Sequence, residues 1–140
     1  MNQQKPGWQY QAVDVNTSVV DADPHRLIQM LYEGALDCIA VARGCFERED
    51  IEGKGLAIGK AVGIVGGLMD SLNHDLVDGG LAENLRNLYE FVTRQLTLAN
   101  ADNDVRHLDA ARNVLLELKQ GWDGIREESK QYITDTAAAV

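Results

Sequence analysis

The apolar residues between Leu27 and Phe46 fall on two interleaved rows at helical spacing, and a pattern of that width admits few folds. Leu27, Leu31, Gly34, Cys38, Val41 and Cys45 make one row, and Ile28, Ala35, Ile39, Ala42 and Phe46 the other. Together they form a broad stripe of the kind a helix buries against other helices, while His25, Arg26, Gln29, Glu33, Asp37, Arg43 and Glu47 lie mostly off it. Asp23 is placed to accept from the first free backbone N–H groups, and Pro24 fits a first turn, where its missing N–H costs nothing. The stretch reads as the first long helix of a bundle.

Three further helical patterns follow. Ile58, Ala61, Val62, Val65, Leu68, Met69 and Leu72 give a core face to the second, and Leu81, Leu85, Leu88, Tyr89, Val92, Leu96 and Ala99 to the third. Val105, Leu108, Ala111, Leu115, Leu118, Trp122 and Ile125 do so for the fourth. Short turns at EREDIEGKG, HDLVDGG and ADND separate them, with Asn103 or Asp104 as the expected cap of the last helix. Short connections make neighbours antiparallel, so the expectation is an all-α, up-down-up-down four-helix bundle with an N-terminal arm. Its parts are an arm at 1–22, a bundle at 23–128 with helices near 23–47, 52–73, 80–100 and 104–128, and a frayed tail at 129–140. The arm spreads Trp8, Tyr10, Val13, Val15, Val19 and Val20 through polar sequence, which suits either a docking segment or a loose terminus.

The second helix is unusual. Gly55, Gly59, Gly63 and Gly67 recur every fourth residue, with Gly66 beside the last. Each interior glycine costs about 0.5–1 kcal/mol relative to alanine, which predicts the least stable long helix of the four. A smooth strip for close helix approach or an adaptable wall for a partner would offset that cost; tertiary packing alone is the plainer account.

Composition narrows function by exclusion. With 140 residues the chain fits one domain, and a formal charge of −9 argues against binding nucleic acid, whose affinity comes largely from Lys and Arg. The two cysteines, Cys38 and Cys45, sit on one helix face about 10 Å apart by helical rise, beyond the roughly 7 Å limit for a bridge. They read as small buried hydrophobes in a reducing compartment. The first ten residues lack an apolar signal core and no run approaches the roughly 20 residues of a membrane span, so a cytosolic protein without membrane insertion is expected. No Glu-x-x-His pair offers a di-metal site. Asp104 and His107 read as solvated surface beside a cap, and the glycines of the second helix follow no strand. No cofactor, metal or catalytic residue is implied, and the chain reads as a non-enzyme that binds through helical surfaces.

The chain resembles the FliS family of flagellar secretion chaperones. The likeness is carried by Tyr10, Val13 and Val15 ahead of the first helix, then Pro24, Leu27, Ile28, Met30, Leu31, Tyr32, Gly34 and Ala35. It continues through Gly53-Lys54-Gly55, Lys60-Ala61, Ile64, the run LAENLRNLYEFVTRQLTLAN at 81–100, and Trp122. The resemblance implies a cytosolic helical bundle that binds the disordered C-terminal segment of flagellin, prevents premature polymerisation and assists delivery to the type III export gate. An export-gate component and other flagellar regulators are further implied partners. On that resemblance Tyr10, Val13 and Val15 are expected arm contacts. Ile64, Leu68, Asn84, Leu88 and Tyr89 are expected in a groove between the second and third helices, with Asn84 and Asn100 bonding client backbone. The alternative reading is a four-helix regulatory module without a flagellin client. Apolar residues outside the core stripes, including Val13, Val15, Leu76 and Val77, favour the chaperone.

Overall fold

Asp23 starts the first helix as its residue type dictates: its side chain accepts from the Arg26 backbone N–H at 2.7 Å, and Pro24 opens the turn. The computed structural model describes residues 23–74 and 79–139. Helix α1 (Pro24–Arg48) ends at Glu49, which takes a left-handed conformation with φ 58°. The next residue already caps α2 (Ile51–Ser71): Asp50 Oδ1 accepts from the Gly53 N–H at 2.9 Å. Two linking residues leave α2 no course but back along α1. Gly53 is required at this turn, because a Cβ there would lie 2.9 Å from both the Cys45 sulfur and the Asp50 carboxyl carbon.

After a 3-10 turn (Leu72–His74), α3 (Gly79–Asp102) and α4 (Val105–Ala139) repeat the device. Asn103 is left-handed, with φ 51°, and Asp104 caps α4 by accepting from the Arg106 N–H at 2.9 Å. Each helix packs on the next and α4 returns to α1, so the ring of neighbours closes as an all-α four-helix bundle. Helix α4 departs from expectation. It runs on to Ala139, through the segment expected to fray, because nothing after Gly124 breaks it and Glu, Lys, Gln and Ala all favour helix.

Of the two apolar rows on α1, the one led by Ile28, Ala35, Ile39 and Ala42 enters the core, joined by Tyr32, whereas Val41 of the other row is exposed. Leu81, Leu88 and Ile125, read as core-stripe residues, are exposed as well. Small side chains at Ala35, Ala42, Ala57, Ala61, Ala99 and Ala111 let the helices approach, and large ones at Ile39, Leu68, Leu96, Leu108 and Leu115 fill the centre. Helix α2 is unbroken despite its glycines. A spacing of four against 3.6 residues per turn advances the glycine row by about 40° per step. It therefore begins beside α3, where a Cβ on Gly55 would lie 3.8 Å from the Asn100 side chain, and ends beside α1, where one on Gly67 would lie 3.8 Å from Leu31. Between them Gly59 and Gly63, with Gly66, face open space.

A polar contact lies inside the core. The Tyr32 and Tyr89 hydroxyls are 2.6 Å apart, and burial pushes both phenols above their usual range. Tyr32→Phe leaves the Tyr89 hydroxyl buried without this partner and should cost about 1–3 kcal/mol. Removing both hydroxyls should cost less than the two single changes added together, which a urea-denaturation double-mutant cycle measures.

Candidate binding surface

Two seams of the bundle carry apolar side chains that the core does not use. On the first, between α1 and α2, the register follows from close neighbours. A Cβ on Gly34 would touch Ile64 at 3.4 Å, one on Gly67 would meet Leu31, and one on Gly53 would meet Cys45. Those pairs place Val41 level with residue 57, so that Val41 and Leu56 flank the same outer strip. They are 58% and 66% exposed. Cys38 lies between these ends, its thiol pushed up by burial and drawn down in part by the Lys60 ammonium.

The second seam joins α3 to α4. His107 Nδ1 bonds Gln95 Oε1 at 2.7 Å, which marks the α4 edge of α3 and accounts for His107 as a packing contact. Leu88 and Leu81 stand two and four turns before Gln95 on that same edge. They are 38% and 40% exposed, and Ile125 on α4 is 42% exposed. The opposite edge of α3 faces α2: Arg86 donates to Asn73 at 3.3 Å, and the Asn100 carbonyl accepts from Lys54 Nζ at 3.3 Å.

Polar clusters close the two ends of the bundle. At one end the His25 ring stacks on Trp122 at 4.5 Å, and the Trp122 indole N–H donates to the His25 carbonyl at 2.9 Å. His25 Nε2 donates to the Trp122 carbonyl at 2.7 Å, fixing that nitrogen as protonated. Beside them Asp123 accepts from Lys119 at 2.7 Å and Gln29 at 2.6 Å; the Lys119 bond leads in holding its carboxyl below the usual range. At the other end Lys54, only 3% exposed, donates to Asn103 Oδ1 at 2.8 Å and lies 5.3 Å from the Phe46 ring centre. It helps line a cleft of about 560 Å³ with Arg43, Cys45, Asp50, Ile51 and Val105. Arg106 beside Asp104 holds that carboxyl down to about 2.

The residues expected at the site divide among these places. Tyr10, Val13 and Val15 lie outside the described residues, as do Leu76 and Val77. Leu68 and Tyr89 are inside the core and present almost no surface. Ile64 is half-buried on the α1 edge of α2, Asn84 and Leu88 are exposed, and Asn100 is exposed at the α2 edge of α3. No single groove between α2 and α3 unites Ile64 with Leu88, because each lies on the far edge of its helix. Periodicity shows which residues share a face, but not which neighbour that face meets. Val41 and Leu56, absent from the expected set, are the most exposed large apolar residues of the first seam. Leu56 had a signal in sequence: it is the one large apolar residue of α2 before Leu72 that fell outside both the core face assigned to that helix and the turn before it, Ile64 aside.

Comparison with known proteins decides the family. The model described as "Flagellar protein FliS" matches residues 6–129. The chain belongs to the FliS family. It is 51% identical over 117 residues to the flagellar secretion chaperone FliSB of Pseudomonas aeruginosa, covering 84% of this chain and 92% of that one. It is 36% identical over 132 residues to the FliS chaperone of Vibrio cholerae, covering 94% and 93%. The FliS chaperone of Salmonella typhimurium is 35% identical over 117 residues, covering 83% and 86%. FliS membership thus extends over all four helices, and family partners are flagellar proteins. Among the described residues no helix is long and apolar enough to cross a membrane.

Proposed function

We propose that this chain is a cytosolic flagellar export chaperone that binds the disordered C-terminal segment of flagellin. In doing so it prevents premature polymerisation and assists delivery to the type III export gate. The observation that carries this reading is the pair of exposed apolar strips, Val41 with Leu56 and Leu81 with Leu88 and Ile125, on different seams of a FliS-family bundle. A segment that orders itself on binding needs a long apolar surface to offset the ordering entropy, and two strips suit a client that wraps the bundle. Leu88 and Ile64 supply apolar contact, Asn84 and Asn100 bond client backbone, and Leu68 and Tyr89 support the surface from within. Tyr10, Val13 and Val15 are further contacts from the arm, and an export-gate component and other flagellar regulators are further partners.

Isothermal titration of the full chain with a fragment spanning the last several dozen residues of flagellin from the same source tests this. The expected result is one-to-one binding with a large negative heat-capacity change. No binding by a folded, monodisperse sample would overturn it in favour of a regulatory module without a flagellin client.

A further inference from the structure

Resting on the chaperone reading, we infer that His25 and Trp122 are positioning residues for the arm. Their reciprocal bond fixes the start of α1 on α4, and so fixes the point from which Tyr10, Val13 and Val15 reach the client. The contact is directional in a way that core packing is not. Each side chain donates to the other's backbone carbonyl, the Trp122 indole N–H at 2.9 Å and His25 Nε2 at 2.7 Å. The two rings lie stacked, with centroids 4.5 Å apart and planes 11° from parallel. Apolar burial resists separation of two helices but sets their relative roll only weakly, whereas hydrogen bonds to both backbones set translation and roll together. Gln29, one turn on, adds a second tie by donating to Asp123 Oδ1 at 2.6 Å. Its amide oxygen accepts from Arg26, and Lys119 bonds the other Asp123 oxygen at 2.7 Å.

Place gives the contact its role. A helix start frays unless it is held, since its first N–H groups lack partners within the helix. Asp23 caps the first turn from within α1, in an extended conformation with φ −73° and ψ 167°. That cap makes the turn helical, and the bonds from His25 and Gln29 attach it to α4. The arm begins at the residue before the cap. Tyr10 stands 13 residues before Asp23 and Val15 stands 8, so these contacts lie within at most about 29–47 Å of chain from the anchor. A contact made through a tether gains from the effective concentration that its anchor sets, and loses that gain when the anchor wanders.

The test uses the full chain and the same flagellin fragment. His25→Phe combined with Trp122→Phe keeps two aromatic rings and removes both donors, and Gln29→Ala cuts the second tie without touching either ring. Each should weaken binding about three- to tenfold in samples that circular dichroism and urea denaturation show to be fully folded. Should the double variant fail to fold, Gln29→Ala alone decides. In a chain that already carries Tyr10→Ala, Val13→Ala and Val15→Ala, the same substitutions should have no further effect, because the arm they position no longer contributes. A loss that persists undiminished in that background, or no loss beside the parent arm, overturns the positioning role and leaves the chaperone reading in place. So does an arm variant that binds as the parent does. Failure of the parent itself to bind overturns both.

Discussion

Replacing Gly59, Gly63 and Gly66 together by alanine should raise the free energy of unfolding by about 2–3 kcal/mol, since each interior glycine gives up roughly 0.8–1 kcal/mol relative to alanine. The expectation holds for these three because nothing lies within 4 Å of the Cβ each would gain, so no new contact opposes the gain in backbone entropy. None of them has positive φ, so alanine enters without strain. Gly53 makes the internal contrast. Its Cβ would lie 2.9 Å from the Cys45 sulfur, and Gly53→Ala should destabilise. Urea denaturation measures both, with an unchanged m-value as the sign that the denatured state is the same. An unchanged midpoint for the triple variant would mean that tertiary packing, not propensity, sets the stability of α2. The same substitutions probe a role for the glycines. If Gly63→Ala stabilises the bundle yet leaves flagellin affinity and rates as they were, α2 is not an adaptable wall.

The helix ends were legible because they are local. Asp23 with Pro24, and Asp104 after the left-handed Asn103, place caps within one or two residues. Two-residue links then dictate antiparallel neighbours, and the bundle follows. What the pattern left open is pairwise. On α1 two rows compete, and only packing against α2 and α4 decides that Ile39 is inside while Val41 is outside. Lys54 is hidden for the same reason. A lysine between two glycines reads as a solvated turn, yet the left-handed Asn103 and the end of α3 supply two acceptors, and Phe46 a ring face, that exist only once three helices meet. The binding surface is the least legible part, since a side chain withheld from the core resembles one inside it until the neighbouring helix is placed.

Leu68 and Leu88 turn that ambiguity into an experiment. Both stand on apolar rows and both were expected at the client groove, yet Leu68 is sealed in the core and Leu88 is open at the α4 edge of α3. Leu68→Ala should cost about 2–5 kcal/mol of stability, because a buried leucine loses its transfer energy and leaves a cavity that the helices close only in part. Val65 and Ala61, one and two turns back on the same helix, are too small to fill it. Leu88→Ala should change stability by about 0.5 kcal/mol or less. Affinity should order the two the other way. If Leu68 only supports the fold, the apparent dissociation constant rises by no more than the reciprocal of the folded fraction, so a bundle that remains mostly folded binds as before. Leu88→Ala removes surface that the client covers, and should weaken flagellin binding at full foldedness. Denaturation and titration on the same two variants separate support from contact. A Leu68 variant that stays folded yet loses binding, beside a Leu88 variant that binds like the parent, would mean that the client enters the bundle and displaces core, not that it lies along the seam.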